Sequence, residues 1–165
     1  MATKEFQECL VDVYRGELTG EVAFERMLAS AETDEQRYIL GTMLQFETEG
    51  KAIIRPLLMR FGLPMLDAPD GRSDGAAAST QMNRLPWLER FGTMREIVKS
   101  NYLPRYEELA TFITPEEDPE AARIASFMGD HERALVQLAD NIISGAPNPA
   151  APVAKLLHFP LPNPG

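Results

Sequence analysis

The sequence predicts an all-α fold in which four long helices form two antiparallel hairpins, and a long crossover joins the hairpins. Apolar residues recur at intervals of three and four through four segments, at about 4–30, 34–61, 87–112 and 120–144. No segment shows the alternation of apolar and polar residues that is typical of a β-strand. The connections within each hairpin are a few residues long, whereas the connection between the hairpins is about 25 residues long.

The first hairpin has clear boundaries in the sequence. Thr33 or Asp34 can cap the second helix, and Gly62 and Pro64 end it. Only about three residues, AET, separate this helix from the first. A connection this short requires the two helices to run antiparallel.

The second hairpin is bounded in the same way. Pro86 is placed for the start of the third helix, Asp118 can cap the fourth, and Pro119 fits its first turn. Gly145 ends the fourth helix. The short acidic turn TPEEDP joins the two helices, so they are also expected to be antiparallel.

The crossover, residues 62–86, is rich in Gly, Pro, Ala and Ser. Each helix is about 40 Å long, and a linker of this length can reach roughly 80 Å when extended. The crossover can therefore run the length of the bundle, as one long connection between two hairpins requires.

The C-terminal tail, residues 145–165, follows the bundle of residues 1–144 and contains six of the thirteen prolines, so it cannot be helical throughout. It also carries four large apolar residues, Leu156, Leu157, Phe159 and Leu161. We expect this segment to pack on the bundle or on a second subunit, which favours a homodimer. A partly disordered terminus is the alternative.

The composition narrows the function. The 165 residues carry a net charge of -9 that no run of Lys or Arg offsets, so nucleic acids and anionic membranes are not expected partners. The start MATKEFQECL lacks the apolar run of a signal peptide, and no stretch has the ~20 apolar residues that span a bilayer. The single cysteine, Cys9, cannot form an internal disulfide. We therefore expect a cytoplasmic protein.

Helical geometry places acidic residues inside the first hairpin. Because each residue turns a helix by ~100°, Glu17 and Glu47 fall within the apolar stripes of the first and second helices. Both lie about 15 residues from the first turn, so they should face one another. Glu21 lies beside Glu17, whereas Glu49 is expected to face solvent.

The second hairpin also carries polar residues on its inner face. His131 lies within the apolar stripe of the fourth helix, and Asn101 and Arg105 lie within that of the third. Asn101 and His131 are each about 15 residues from the second turn, which places them at the level of the two glutamates. Glu132 is expected to face solvent.

The segments YRGELTGEVAFERML and LGTMLQFETEGKAII resemble the ferritin-like superfamily, in particular its rubrerythrin-like small four-helix bundles. The resemblance covers the four helices and not the tail. It implies a metal site for iron or manganese with Glu17, Glu47 and His131 as ligands, and Glu21 is a candidate fourth ligand.

The sequence departs from the pattern of that superfamily at three further ligand positions. Gly50 stands in the place of one histidine, Met128 in the place of one glutamate, and Asn101 in the approximate place of the glutamate on the third helix. The resemblance therefore implies an incomplete di-iron ligand set, which can hold one ion with open coordination positions.

Buried carboxylates need a compensating cation or shared protons. Three functions are compatible with such a group. The first is a metal-dependent oxidoreductase that uses Glu17, Glu47 and His131. The second is a metal-free binding or assembly module in which Arg105 pairs with Glu17, Glu21 or Glu47 and replaces the charge of the metal. The third is a pocket for a small-molecule ligand with Glu47, Arg105 and His131 as polar anchors.

Overall fold

The computed structural model of the chain describes residues 2–165. Helices are the only regular secondary structure among these residues, with no β-strand, so the predicted all-α class is confirmed. The α-helices are α1 Lys4–Leu28, α2 Asp34–Arg60, α3 Pro69–Met82, α4 Trp87–Ile97, α5 Leu103–Leu109, α6 Pro119–Ser144 and α7 Ala151–Ala154. None of the helices between residues 2 and 165 combines the length and apolar character that crossing a bilayer requires.

The helices α1 and α2 pack against each other along their lengths, and side-chain caps fix where each begins. The Thr3 hydroxyl accepts a hydrogen bond from the Phe6 amide at 3.2 Å, and the Thr33 hydroxyl accepts one from the Gln36 amide at 3.1 Å. These bonds satisfy amides that the first turn of a helix leaves without partners.

The crossover contains a helix that the linker-like composition of residues 62–86 did not predict. This helix, α3, packs along α1, and the glycines Gly71 and Gly75 lie on its buried side. A Cβ on Gly75 would lie 2.6 Å from the Thr19 carbonyl oxygen, so only glycine allows this approach. The small residues that suggested a flexible linker instead allow two helices to pack closely.

The third predicted helix is interrupted. A π-helical segment, Val98–Tyr102, separates α4 from α5, and a 3₁₀ turn, Ala110–Phe112, follows α5. Pro104 lacks the amide that would donate to the Ser100 carbonyl in a regular α-helix, which gives a physical reason for the wider turn.

The wider π turn changes which residues face inward. Asn101, which was predicted to lie inside, is exposed, and Tyr102 is partly buried in its place. One turn later, Tyr106 is buried while Arg105 is only half-buried. A helix phase derived from 3.6 residues per turn is therefore one position out beyond the π segment.

The helix α6 packs on α4, α5 and α2 and connects two apolar cores. Asp118 caps its first turn, and Gly145 ends it in the left-handed conformation with φ 69°. One core lies near the α1–α2 connection and includes Phe24, Met27, Leu40, Phe91 and Leu138. The other lies towards the opposite end and includes Phe6, Leu10, Ile54, Leu57 and Ile124.

The C-terminal tail packs on the rest of the chain through Val153 and Leu157, which are both buried. Glu49, which was predicted to face solvent, is buried because its carboxylate holds this tail. The carboxylate accepts hydrogen bonds of 2.7 Å from the amides of His158 and Phe159, and His158 Nδ1 lies 3.1 Å from it. Burial alone would raise the pKa of Glu49, but these hydrogen bonds bring the pKa below its ordinary value.

We expect Glu49→Gln to loosen the tail, because a glutamine has one acceptor oxygen for donors that now share two. The free energy of unfolding should fall by about 1.5–3 kcal/mol, the range for hydrogen bonds to a charged group. Limited trypsin digestion should cut faster after Lys155, which lies just before the bonded residues. Glu25→Gln, which removes an exposed charge from α1, is the control. Equal digestion rates for the two variants would show that Glu49 does not hold the tail.

Candidate metal centre

Four ionisable side chains meet between the two apolar cores. Glu17 comes from α1, Glu47 from α2, and His131 and Glu132 from α6, and each is at most 3% exposed. The buried Tyr106 of α5 completes the group. Residues from four helices therefore converge at one level of the fold.

Glu17 and His131 form the centre of the group. The hydroxyl of Tyr106 donates a hydrogen bond of 2.7 Å to Glu17 Oε1, and Glu17 Oε2 lies 3.3 Å from His131 Nε2. On the other side of the ring, His131 Nδ1 lies 3.8 Å from Glu132 Oε2. One ligand atom from each of Glu17, His131 and Glu132 can be chosen so that all three lie within 4.8 Å of one another.

The imidazole of His131 is held in place by its neighbours. It stacks on the Phe46 ring with centroids 3.6 Å apart and an interplanar angle of 11°, and its Nε2 lies 3.2 Å from the Phe46 carbonyl oxygen. The Phe127 ring packs edge-on against the imidazole, with ring centroids 6.1 Å apart. A ring fixed this firmly presents its nitrogens in set directions.

Two buried polar atoms of the group lack hydrogen-bond partners among residues 2–165. They are Glu17 Oε2 and His131 Nδ1. A buried polar atom without a partner costs about 1–3 kcal/mol, and native structures contain few of them. Both atoms belong to residues of the candidate ligand set, so an ion that coordinates either atom would supply a partner that the protein does not.

Glycines make room for the polar groups. A Cβ at Gly50 would overlap Glu17 Oε2, and a Cβ at Gly20 would lie 2.6 Å from Glu47 Oε2. Gly50 is the position where the family resemblance implied a histidine. The structure gives this glycine a different role, because the Glu17 carboxylate occupies the space of any side chain at position 50.

The proximity of the acidic groups changes their protonation. Burial and the neighbouring Glu132 raise the pKa of Glu17 to about 7, although His131 and the Tyr106 hydrogen bond oppose the shift. Burial, and then Glu17 and Glu132, raise the pKa of Glu47 well above its usual range. Burial alone would lower the pKa of His131, but Glu17 and Glu132 raise it above its ordinary value.

Glu21 does not join this group, although it was predicted as a candidate fourth ligand. Its carboxylate accepts hydrogen bonds from Lys51 Nζ at 3.0 Å and from the Thr48 hydroxyl at 2.7 Å. Lys51 also pairs with Asp67 of the crossover at 2.8 Å. Glu21 therefore helps a buried lysine tie the crossover to the first hairpin.

The predicted core network of Arg105 and Asn101 is wrong. The Arg105 guanidinium pairs with Asp12 at 2.7 Å and with Glu108 at 2.6 Å, at the surface of the protein. Asn101 is exposed. The π segment turned both residues outward, so no arginine supplies positive charge to the buried carboxylates through this network.

Glu132 and Tyr106 belong to the site although they were not predicted to. Glu132 follows Met128 by four residues and precedes Leu135 by three, so a slightly wider apolar stripe on the fourth helix would have included it. Tyr106 had no comparable signal, because the π segment decides that it faces inward.

A cavity of about 80 Å³ adjoins the group on the side of Glu47 and Glu132. Its walls come from α1, α3, α4, α6 and the π segment, and they are mostly apolar. They include Phe24, Met27, Met82, Met94, Ile97 and Leu135. The partly exposed Ala78, Ile97 and Tyr102 mark the side on which the cavity reaches the surface.

No protein-family model matches the chain, and neither the curated proteins nor the solved structures contain a match.

Proposed function

We propose that the protein binds one iron or manganese ion through Glu17, His131 and Glu132 and acts as a non-haem oxidoreductase on a ferritin-like framework. One observation carries the proposal. Three buried carboxylates, those of Glu17, Glu47 and Glu132, meet beside a single group that can carry positive charge, His131. Burying carboxylates without a compensating cation is costly, and a divalent ion provides the missing charge.

The donor set suits such an ion. Imidazole and carboxylate are common ligands of iron and manganese, and three protein ligands leave coordination positions open for a small molecule. When bound, the metal would supply redox chemistry toward dioxygen or peroxide. The ferritin-like framework is supported by the order of the helices, in which the crossover containing α3 joins the α1–α2 pair to α4, α5 and α6.

The residues around the ligands have separate tasks in this proposal. Tyr106 donates its hydrogen bond to Glu17 Oε1 and so leaves Oε2 facing His131. Phe46 and Phe127 fix the imidazole plane. The apolar cavity excludes bulk water and gives a small molecule access to the side of the site formed by Glu47 and Glu132.

Elemental analysis tests the proposal directly. Protein expressed with added iron, manganese and zinc should retain about one equivalent of metal after dialysis, and Glu17→Gln and His131→Gln should each lose most of it. Glu25→Gln, an exposed substitution on α1, should keep the metal. Circular dichroism should show equal helix content for all variants. Wild-type protein without metal in every preparation, or equal metal in the Glu17 and His131 variants, would refute the proposal.

A further inference from the structure

The cavity beside the candidate metal centre has one strongly polar end. Glu47 lines it and is only 2% exposed. Within residues 2–165 no hydrogen bond reaches its carboxylate, and the nearby donors Thr48 and Lys51 bond Glu21 instead. Glu47 also lies outside the group of three residues whose ligand atoms come close enough to share an ion. An unpartnered buried carboxylate therefore faces an apolar space.

The charges around the cavity define the kind of guest that it favours. Its lining includes the acidic Glu47 and Glu132 and, within residues 2–165, contains no Lys, Arg or His. A divalent ion at the metal centre would offset the charges of Glu17 and Glu132 but would leave Glu47 unpaired. A carboxylate or phosphate guest would meet like charge, whereas a cation would pair with the ionised form of Glu47 and favour that form.

The apolar walls disfavour a second metal ion. Metal cations need oxygen or nitrogen ligands on several sides, and Met27, Met94, Val98 and Leu135 offer none of these. The cation must therefore carry its own apolar surface. The walls can bury a hydrocarbon chain, and the polar end can accept hydrogen bonds from a nitrogen.

We propose that this cavity binds a small primary aliphatic ammonium ion, with its nitrogen against Glu47 and its chain along the apolar walls. A primary ammonium has three donors. Besides Glu47, the lining includes Thr19 and Tyr102, whose side chains carry hydroxyl groups. The Thr19 hydroxyl donates to the Arg15 carbonyl at 3.0 Å.

The size of the cavity limits the length of the chain. A cavity of about 150 Å³ holds benzene, so the present 80 Å³ suits a chain of about three carbon atoms. A longer chain would have to leave through the side marked by Ala78, Ile97 and Tyr102. Binding of the ammonium ion to the cavity does not require the metal. The further statement that such an ion is the substrate rests on the proposed function.

Binding of n-propylammonium, followed by NMR on protein labelled at the methionine methyl groups, tests the inference. Met27, Met82 and Met94 line the cavity, so their methyl resonances should shift as the amine is added. Met59 is exposed on α2 and serves as an internal reference that should not move. 1-Propanol, a neutral molecule of similar size, should bind at least tenfold more weakly, because it cannot pair with the carboxylate.

Two variants distinguish the effect of the Glu47 charge from the effect of cavity volume. Glu47→Gln keeps the size of the side chain and should weaken n-propylammonium at least tenfold while leaving 1-propanol unchanged. Ala78→Leu adds volume at the mouth of the cavity and should weaken both molecules. Glu25→Gln removes an exposed charge and should change neither. If Glu47→Gln fails to fold, the Ala78→Leu result and the preference for the amine over the alcohol still decide the outcome.

Three results would overturn the inference. They are equal binding of the alcohol and the amine, amine binding that survives Ala78→Leu, and the absence of any shift at the three cavity methionines. Metal content measured on the same samples separates this inference from the proposed function. If the protein binds the amine but never holds metal, the ammonium site stands and the proposed oxidoreductase function is refuted. If the protein holds metal but does not bind the amine, only the ammonium site is refuted.

Discussion

Gly50→Ala is expected to disrupt the candidate metal centre and to lower the free energy of unfolding by about 1–3 kcal/mol, as overpacking of a core does. The new methyl group would overlap Glu17 Oε2 and approach His131 Nε2 to 3.1 Å. The Glu17 carboxylate would have to leave this position, yet it is fully buried and bonded to Tyr106. We therefore expect the variant to lose both stability and metal, measured by urea unfolding and elemental analysis.

Gly92→Ala is the matched control, because Gly92 is also helical and a Cβ there meets no atom within 4 Å. Replacing a glycine in a helix by alanine usually stabilises the helix by about 0.5–1 kcal/mol. The two variants should therefore change stability in opposite directions. If Gly50→Ala is as stable as Gly92→Ala and keeps its metal, the close contact between Gly50 and Glu17 has no functional role.

The metal-free protein is expected to become less stable as the pH rises from about 4.5 to 7, by about 3 kcal/mol. The pKa of Glu17 is raised in the folded state from 4.5 to about 7, so the folded protein holds a proton that the unfolded chain releases. The stability from this proton is complete below the unfolded pKa and is lost as the pH rises through the folded pKa. The raised pKa of His131 acts in the same direction at higher pH.

The carboxylates with lowered pKa values do not mask this effect. The pKa values of Glu49 and Asp67 lie below their ordinary values of 4.5 and 3.8, so their contributions are lost only at lower pH. Urea unfolding in the presence of a chelator, from about pH 5 to pH 8, measures the slope. Glu17→Gln should make the slope shallower, and the raised pKa values of Glu47 and His131 account for what remains. A stability that rises with pH in metal-free wild type would contradict the prediction.

Added metal should reverse the direction of the pH dependence. An ion binds the deprotonated carboxylates and the neutral imidazole, so its affinity rises as the pH rises. With excess manganese, the free energy of unfolding should therefore increase over the range in which the metal-free protein loses stability. Identical curves with and without the ion would count against a metal site made of Glu17 and His131.

The sequence predicted those parts of the protein that depend on local chemistry and on counting along regular helices. The boundaries of α2 and α6 follow from caps and glycines and those of α1 from apolar spacing, and all of them agree with the structure to within two residues. The encounter of Glu17, Glu47 and His131 follows from their equal distances to the turns, because the helices carrying them are regular over the relevant length.

The errors at Glu49 and Glu21 have a common physical cause in contacts between segments distant in the chain. Glu49 is buried because the tail returns to it from more than one hundred residues away. Glu21 pairs with Lys51, and the crossover brings Asp67 to the same lysine. The spacing of apolar residues within one helix carries no information about these contacts, so it could not predict them.

In the third predicted helix, local sequence determined one property and the tertiary structure decided another. The sequence alone determined that residues 87–112 are helical, since their apolar spacing and the proline at the start are local features. The π turn before Pro104 decided that Tyr106, and not Arg105, faces the carboxylates. The sequence by itself thus determined the all-α class and the burial of Glu17, Glu47 and His131 at one level of the fold, but not the inclusion of Glu132. The tertiary structure decided whether an arginine compensates the carboxylates, because one extra residue in a turn rotates every later side chain to a new face.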